Sequence, residues 1–396
     1  MKTILNSNFK TFSKNFNFLK TQQKNFFTST STQNLQINNL LKFTNSNQKN
    51  LTNINFQKTQ IKKFSNVTEK EKSPRKILEH YKNLIDNNEN LMEEIFPKNF
   101  PNREEFIKYF NFDKITKNIK VENSIPLESL KQGVMAPCWD MIERGGKRWR
   151  PILGLMIAEL FKVDLNDISD CEETKLYFKL LYSVELFHNA SLICDDVEDK
   201  SEQRRNKPCV HITYGEAIAI NAGFSMIIFH FNSILTRLKD PVLGDNLSRC
   251  FFEEMVSLHI GQAWDIEMKM ASRIPGINNY KDTALMKTGV FPRLIVKFIR
   301  VMILKNLEKT KRTDEINFTN EIFEILINIV DNMSIAFQVK DDLLNITECE
   351  LSKRKGFFGE DIFEGKLTLM ILHTLNLKDE KSKGKRLQEI LAMNTK

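Results

Sequence analysis

The stretch SLICDDVEDKSEQRR (residues 191–205) places three carboxylates at the end of an apolar segment and two guanidinium groups just beyond it. On a helix, with about 100° of rotation per residue, His188, Asp195 and Asp199 share one face, and Asp196 lies beside them. An ionised carboxylate that faces a protein core is costly unless a cation compensates it. The stretch therefore predicts a cation site at the end of a long helix.

A second acidic segment, FQVKDDLLN (residues 337–345), has the same design. Asp341 and Asp342 follow an apolar helix body, Gln338 precedes them, and Asn345 offers another oxygen one turn later. Hard divalent ions such as Mg²⁺ prefer oxygen ligands and keep room for substrate phosphates. Two such helices facing each other predict a magnesium cluster between them.

Three other interpretations of the acidic pairs compete with this one. A glycosidase uses two carboxylates as acid and base, but it needs neither two Asp pairs nor a basic rim. Ferritin-like bundles bind iron through Glu residues and a Glu-x-x-His motif on each of two helices, and here that motif occurs once, in ELFH (residues 185–188). A solvated helix end accounts for one motif but not for its repetition.

Basic residues form the other half of the pattern. GGKRWRP (residues 145–151) combines two glycines with positive charges before a proline that can start a helix, which suits an oxyanion such as diphosphate. The candidate basic residues are Lys147, Arg150, Arg204, Arg205, Lys287, Lys355 and Lys366.

Helical periodicity dominates the chain beyond Pro126, and no segment alternates with period two for long. We predict an all-α domain of about ten or more helices. The apolar segments run over 127–143, 151–162, 172–199, 213–237, 244–270, 280–305, 319–347 and 364–376. No uninterrupted apolar run reaches the length of a bilayer, so we expect membrane contact to be peripheral.

Composition divides the chain. Residues 1–68 contain ten lysines and no acidic residue, which is typical of a mitochondrial presequence; a disordered tail is the alternative. Beyond them, 48 basic residues face 50 acidic ones, so no nucleic-acid partner is expected. The six cysteines show no metal-ligand spacing and are interpreted as reduced thiols. We predict a leader (1–68), a helical N-terminal extension (69–125) and a synthase domain (126–396).

In these motifs and their order the sequence resembles the trans-isoprenyl diphosphate synthases, the polyprenyl synthetase family. The similarity covers about 126–376 and includes AINAG (219–223), GQAWDIEM (261–268), KTG (287–289) and GEDIFEGK (359–366). It implies an isoprenoid synthase fold around a central hydrophobic cavity. It also implies Mg²⁺-dependent, head-to-tail condensation of isopentenyl diphosphate with an allylic diphosphate.

The resemblance assigns roles to individual residues. Asp195, Asp199 and Asp341 correspond to the Mg²⁺ ligands, and Asp196 and Asp342 complete the acidic motifs. Those resembling the isopentenyl diphosphate pocket are Lys147, Arg150, His188 and Arg205. Those resembling the allylic diphosphate site are Arg204, Lys287, Lys355 and Lys366. Thr288 and Gln338 correspond to the groups that steady the carbocation.

Product length depends on the residues one turn before Asp195. Ala190 and Ser191 are small, which in this family opens the cavity to longer chains. We therefore expect a product longer than farnesyl, such as a quinone side chain, unless Phe224, Phe229 or Phe231 closes the floor. These last three lie on the next predicted helix.

The sequence departs from the family at several points. Asn345 stands where many members have Asp, Asn206 replaces a Gly, the spacing in 355–361 is one residue longer, and 30 residues follow Lys366 where further helices are common. The alternative is therefore a weak or silent member that acts as a structural or regulatory subunit of a mitochondrial membrane complex. We expect a homo- or hetero-dimer in the mitochondrial matrix or at the inner-membrane matrix face.

Overall fold

The computed structural model describes residues 74–111, 127–165, 171–270, 274–347, 359–376 and 381–393. The predicted leader and Lys355 lie outside the described residues. The chain divides into two units at Asn83, and every element described below except the first helix, Pro74–Asp86, lies wholly in the second unit, Leu84–Lys396. In the described part of the chain, the five cysteines form no disulfide.

The described residues are predominantly helical, which confirms the predicted all-α class. The helices are α1 (Pro74–Asp86), α2 (Asn90–Ile95), α3 (Arg103–Phe110), α4 (Leu127–Leu130), α5 (Ala136–Glu143), α6 (Trp149–Leu160), α7 (Glu172–Glu198), α8 (Val210–Tyr214), α9 (Glu216–Arg237), α10 (Pro241–Met270), α11 (Ile277–Lys287), α12 (Val290–Lys309), α13 (Ile316–Asn345), α14 (Glu360–Phe363), α15 (Leu369–Leu375) and α16 (Lys381–Met393). A π-helical turn (Lys131–Met135) joins α4 to α5, a 3₁₀ turn (Thr313–Glu315) precedes α13, and β1 (Gln203–Arg204) pairs with β2 (Lys207–Pro208).

Helix α7 is the central element of the fold. Its buried residues lie on all sides of the helix, as expected for a core helix that others surround. It contacts α6, α9 and α12 along its length, and α2 and α5 cover its remaining surface. Glu172 and Glu173 begin the helix, where negative charge is favourable to the helix dipole. The helix carries the first acidic motif at its opposite end.

Two predicted helical regions are interrupted. The segment predicted over 280–305 is two helices, α11 and α12, separated at Thr288 and Gly289. A Cβ at Gly289 would lie 2.5 Å from the carbonyl oxygen of Leu285, so only glycine fits this bend. In the predicted helical N-terminal extension, a turn at 87–89 likewise separates α1 from α2.

The β-hairpin between α7 and α8 explains why Asn206 can stand where the resembled family has a Gly. Arg205 and Asn206 form its turn, with φ of 55° and 62°. Both values lie in the left-handed region, where glycine is easiest and Asn is the next most tolerant residue. Asn206 therefore keeps the conformation of the Gly that it replaces.

Two helices are long and apolar enough to cross a membrane by length and composition: Glu216–Arg237 and Thr313–Asn345. Polar residues interrupt both helices, so they are compatible with the lack of an uninterrupted apolar run in the sequence, and peripheral membrane contact stays a prediction. Half of the first window is buried in the fold, but only 17% of the second is. Core helices of soluble proteins meet the same criterion, so length and composition assign no topology here.

Candidate active site

One cavity of about 360 Å³ brings most of the predicted site together. It opens between the C-terminal ends of α7 and α13 and is bordered by α10 and α11. Eleven of the fifteen predicted site residues line it: Arg150, His188, Asp195, Asp199, Arg204, Lys287, Thr288, Gln338, Asp341, Asp342 and Lys366. Asp196, Lys147 and Arg205 do not, and Lys355 lies outside the described residues.

Helix ends make the mouth of this cavity strongly negative. Both acidic motifs occupy the last turn of a helix, where the dipole is already negative. The Nζ of Lys287 lies 2.9 Å from Asp195 Oδ1, and Arg204 lies 3.8 Å from Asp195 Oδ2. Burial alone would raise the pKa of Asp195, but Lys287, Lys366 and Arg204 outweigh it and hold that pKa below its usual range. Asp195 is therefore an ionised oxygen donor at the cavity wall.

Asp196 points away from the cavity and has a structural role. Its side chain is fully buried and accepts a 2.8 Å hydrogen bond from Nε of Arg204. Burial raises the pKa of Asp196, and Arg204 opposes that rise. The predicted catalytic position of Asp196 is thus corrected: this carboxylate anchors Arg204 at the rim.

Asp199 is covered by two lysines. Its Oδ1 accepts a hydrogen bond from Lys269, and its Oδ2 lies 3.3 Å from Nζ of Lys366. Only 2% of the Asp199 side chain is exposed. Burial lowers the pKa of Lys366, but Asp199 and Glu364 outweigh this effect and raise it well above the usual value.

Helix α10 adds residues that the sequence analysis did not assign. Gln262 donates to Asp195 at 3.2 Å, and Asp265 Oδ2 lies 2.7 Å from Lys287 Nζ. A Cβ at Gly261 would lie 2.6 Å from the backbone of Met286, so glycine lets α10 approach α11 backbone to backbone. Gly261 could have pointed to this contact in the sequence, because an isolated glycine inside a long helix often marks a close approach of another segment.

The two aspartates of the second acidic motif differ in their surroundings. Asp342 is buried and accepts hydrogen bonds from Tyr280 Oη (2.6 Å), Gln338 Nε2 (2.8 Å) and the backbone N–H of Leu369 (3.2 Å). Asp342 therefore fixes α11, α13 and the segment before α15 relative to one another. Asp341 lies beside it on the cavity wall.

Asn345 is not placed as a ligand. Its side chain is buried, and its Oδ1 accepts a 3.2 Å hydrogen bond from the backbone N–H of Asp361. The expectation that it supplies a metal oxygen is therefore wrong. Because an amide oxygen accepts this bond as well as a carboxylate would, Asn in place of Asp costs the local structure little.

Thr288 and Gln338 form a polar pair at the bend between α11 and α12. The Thr288 hydroxyl donates a 2.7 Å hydrogen bond to Gln338 Oε1. Phe337, beside Gln338, stacks on Trp149 with ring centroids 5.9 Å apart. The pair thus presents oxygen dipoles next to aromatic surface, as the resemblance implies for a carbocation.

A second basic group lies around GGKR. Arg150 lines the cavity with its guanidinium 4.8 Å from the centroid of Trp149, a cation–π contact. Arg205 Nη1 donates to Asn189 Oδ1 at 3.0 Å. Burial lowers the pKa of Arg150 and of Arg205 to about 10, with Glu185 opposing the shift in both. Lys147 is exposed on the loop.

Glu185 is the buried counter-ion of this group, another residue that the sequence analysis missed. Its Oε1 lies 3.3 Å from Arg148 and its Oε2 lies 3.9 Å from Arg150. His188, one turn further along α7, is half-buried at the cavity wall, close to these charges. Burial, followed by Arg150 and Arg205, holds the pKa of His188 well below its usual value, so the imidazole is neutral.

The inner wall of the cavity is apolar. It is lined by Ser191, Leu192, Phe224, Ile227, Leu258 and Phe291. Ala190 is not among the described residues that line the cavity; it is fully buried, and its carbonyl lies 3.3 Å from the Cβ position of Gly223. The prediction that Ala190 forms part of the cavity floor is therefore corrected: Ala190 packs α7 against α9. Ser191, in contrast, lines the cavity as predicted.

The chemistry of the donor set suits Mg²⁺. Asp195, Asp199 and Asp341 supply hard carboxylate oxygens to one cavity. Within the described residues, however, no three acidic, histidine or cysteine side chains are already gathered around a common point. Lysines hold two of the three carboxylates instead.

Comparison with known proteins places the chain among the enzymes that it resembles. A short chain isoprenyl diphosphate synthase of Methanocaldococcus jannaschii is 32% identical over 247 residues, 62% of this chain and 67% of that protein. A geranylgeranyl pyrophosphate synthase of Dictyostelium discoideum is 28% identical over 278 residues, 70% of this chain and 80% of that protein.

The fold comparison agrees. The crystal structure of geranylgeranyl pyrophosphate synthetase from Pyrococcus horikoshii has a TM-score of 0.53 and 25% identity, over 78% of this chain and 84% of that one. The polyprenyl synthetase family model matches residues 131–396. The predicted resemblance, fold and prenyltransferase class are confirmed at this level. The chain therefore belongs to the polyprenyl synthetase family, whose members elongate prenyl chains from isopentenyl and allylic diphosphates.

Proposed function

We propose that this protein catalyses the Mg²⁺-dependent head-to-tail condensation of isopentenyl diphosphate with an allylic diphosphate. One observation carries the proposal: a single cavity combines carboxylates from two helix ends, basic side chains and an apolar interior. A diphosphate needs the charged mouth, a prenyl chain needs the apolar interior, and a carbocation needs a site poor in water.

The allylic diphosphate binds at the acidic mouth. Mg²⁺ held by Asp195, Asp199 and Asp341 would neutralise the diphosphate and make it a better leaving group. Lys287, Lys366 and Arg204 surround the same carboxylates and can turn their N–H groups to the diphosphate oxygens. These cations stabilise the negative charge that develops as the bond between C1 and oxygen breaks.

The carbocation is stabilised on the opposite side by dipoles and not by charges. The oxygens of Thr288 and Gln338 and the ring of Phe337 lie along this wall. No acidic side chain is needed there to trap the cation, and the apolar lining excludes water, which would quench it.

Isopentenyl diphosphate binds beside the basic group, with Arg150 and His188 facing the cavity. The neutral imidazole of His188 can donate one hydrogen bond to a diphosphate oxygen without adding charge. The C3–C4 double bond attacks C1 of the allylic cation, and a proton then leaves C2 for the departing diphosphate. Arg205 and Lys147 complete this half by the resemblance, from the hairpin and the GGKR loop.

We propose a product longer than farnesyl. Ser191 presents a small side chain to the cavity, and the two curated relatives described above include a geranylgeranyl pyrophosphate synthase. Phe224 also lines the cavity, so it is the candidate floor. A quinone side chain is the proposed use of the product.

A homodimer is the proposed oligomeric state. Apolar side chains spaced four residues apart are exposed on α9 (Ile220, Phe224 and Ile228) and on α10 (Phe252 and Val256). The two helices meet through Phe231 and Phe251, whose ring centroids lie 4.5 Å apart. Exposed apolar stripes on adjacent helices are typical of a subunit interface. Val256→Asp should yield a monomer in sedimentation analysis.

We propose that the protein acts in mitochondria and that import removes much of residues 1–68. The acid-free, lysine-rich composition supports this proposal. N-terminal sequencing of the native protein should begin well beyond Lys2. A native N-terminus at Met1, or a cytosolic location, would contradict it.

The function is tested by incubating the purified protein with labelled isopentenyl diphosphate, an allylic primer and Mg²⁺. We expect chains longer than fifteen carbons, and none when a chelator removes the metal. If no product forms although the protein is folded and binds diphosphate, the condensation is ruled out. The alternative, a silent subunit of a mitochondrial complex, would then take its place.

A further inference from the structure

Asp199 differs from the other carboxylate of its motif in how completely it is covered. The exposed fraction of its side chain is 2%, against 19% for Asp195. Both of its oxygens contact lysine ammonium groups, Oδ1 that of Lys269 and Oδ2 that of Lys366. A divalent ion can reach Asp199 only if at least one lysine leaves.

The two lysines are not equivalent. Lys366 also lies 3.2 Å from Glu364 and 3.7 Å from Asp361, so it keeps anionic partners if it releases Asp199. For Lys269, Asp199 is the one ion-pair partner within the described residues. Because an unpaired, largely buried ammonium is costly, Lys269 leaves Asp199 only when another anion arrives.

The anion is supplied by the substrate. Lys269 lies in the last turn of α10, where a cation is favourable to the helix dipole. Met268, on the same turn, and Asp265, one turn earlier, both line the cavity that receives the diphosphate. The long, flexible lysine side chain can therefore exchange the carboxylate for a diphosphate oxygen without moving the helix.

We propose that Lys269 competes with the metal for Asp199, and that it moves to the substrate diphosphate when that group binds. The inference rests on the proposed Mg²⁺ site. The position of Lys269 then determines the order in which metal and diphosphate bind. Without diphosphate, Lys269 pairs with Asp199 and hinders metal binding there. With diphosphate bound, Lys269 contacts the diphosphate and leaves Asp199 to the metal.

The test uses the full chain with Mn²⁺ as the metal and inorganic pyrophosphate as the anion. Electron paramagnetic resonance measures free Mn²⁺, so the readout does not depend on turnover. Without pyrophosphate, Lys269→Met should bind Mn²⁺ roughly tenfold more tightly than wild type, because a competing charge is gone. With Mn²⁺ saturating, it should bind pyrophosphate several-fold more weakly in calorimetry.

Lys305→Met is the matched control. Lys305 pairs with Asp240, away from the cavity, at 2.6 Å, and its loss removes the same net charge. It should leave both affinities unchanged. Equal or weaker Mn²⁺ binding by folded Lys269→Met, relative to wild type, would overturn the proposal.

Two further variants test the route through Asp199. In an Asp199→Asn background, Lys269→Met should no longer change Mn²⁺ affinity; a persisting effect would mean that Lys269 acts through its field alone. If Lys269→Met does not fold, Lys269→Arg is used instead. Because arginine keeps the ion pair with Asp199, this variant should not bind Mn²⁺ more tightly than wild type. If wild type fails to bind Mn²⁺ even with pyrophosphate, the proposed metal site itself is refuted. If wild type binds Mn²⁺ with pyrophosphate but Lys269→Met does not change the Mn²⁺ affinity, only this inference is refuted.

Discussion

The phenol of Tyr280 donates a 2.6 Å hydrogen bond to the buried carboxylate of Asp342. This bond joins α11, which ends at Lys287, to α13, which carries Gln338 and Asp341. Burial, followed by the charge of Asp342, raises the pKa of Tyr280, so the phenol stays protonated and remains a donor. These two helices, which both line the cavity, are therefore held in register by a side chain outside the sequence motifs.

Tyr280→Phe removes this bond and leaves Asp342 Oδ2 with the backbone N–H of Leu369 alone. We expect the free energy of unfolding to fall by about 1–3 kcal/mol, the cost of an under-satisfied buried acceptor. Turnover should fall as well, because Lys287 is no longer fixed relative to Gln338. Tyr109→Phe is the control: it loses a 2.7 Å bond to Ile95 and should reduce stability without affecting kcat of the folded protein.

Gly261→Ala should be among the most damaging small substitutions in the chain. Its Cβ would lie 2.6 Å from the Met286 carbonyl carbon and 2.8 Å from the Lys287 nitrogen, and backbone atoms cannot rotate away. The helices must separate, which moves Gln262 away from Asp195. We expect a lower melting temperature and a large loss of kcat. Gly133→Ala, where no heavy atom lies within 4 Å of the Cβ position, should leave both unchanged.

Asp195→Ala tests the metal assignment. It removes an oxygen donor and leaves Lys287 with Asp265 as its partner. Turnover should fall roughly 100-fold or more, the scale of losing one electrostatic group at a reacting centre. Glu202→Gln, an exposed neighbour of the motif, should retain normal turnover. Near-normal turnover of Asp195→Ala in single-turnover assays would contradict the assignment.

Product length should respond to Ser191 and not to Ala190. Ser191→Phe places a ring in the cavity and should shorten the chain while preserving the first condensation. Phe224→Ala should lengthen it. Ile325→Ala, exposed on α13 and not among the residues that line the cavity, is the control and should not change the product distribution. Chromatography of the dephosphorylated products decides, and an unchanged distribution in Ser191→Phe would contradict an open cavity at this wall.

Stability should decline on the acid side because His230 is buried as a neutral ring. Its Nε2 lies 3.0 Å from Ser183 Oγ, and burial lowers its pKa to about 3. The unfolded chain binds a proton below about pH 6.5 and the folded protein only below about 3, so stability is lost as pH falls between these values.

By pH 5 this group alone should cost about 2 kcal/mol. His230→Gln keeps a polar side chain but does not titrate, so its stability should depend less on pH over the same range. Urea unfolding at pH 7 and pH 5 gives the difference. Equal losses in wild type and variant would show that His230 does not titrate with a lowered pKa.

The motifs predicted which residues meet, but not which way each one faces. Asp195 and Asp341 lie on the cavity wall as expected, because helical spacing determines the face. Their immediate neighbours, Asp196 and Asp342, are rotated by about 100° and buried, where Arg204 and Tyr280 bind them; Asp342 still borders the cavity, whereas Asp196 does not. These partners come from distant parts of the chain, so spacing within a motif could not identify them.

The same limit applies to the fold. Long helices such as α7 and α10 were predictable because their apolar periodicity is sustained. The break at Thr288 and Gly289 was not, because it depends on how closely Gly289 approaches Leu285. Glu185 was missed since a single acidic residue in an apolar run gives no signal until its arginine partners are placed in space.

The contact at Gly261 also bears on how freely this sequence can vary. Where two helices touch through side chains, each substitution changes their spacing a little. Here peptide backbone meets peptide backbone, so the separation of Asp265 from Lys287 does not depend on the size of neighbouring side chains. The outward positions of α10, apart from Phe252 and Val256 in the proposed subunit interface, can therefore accumulate changes without disturbing the chemistry, and a library randomised there should retain activity far more often than one randomised around Ser191.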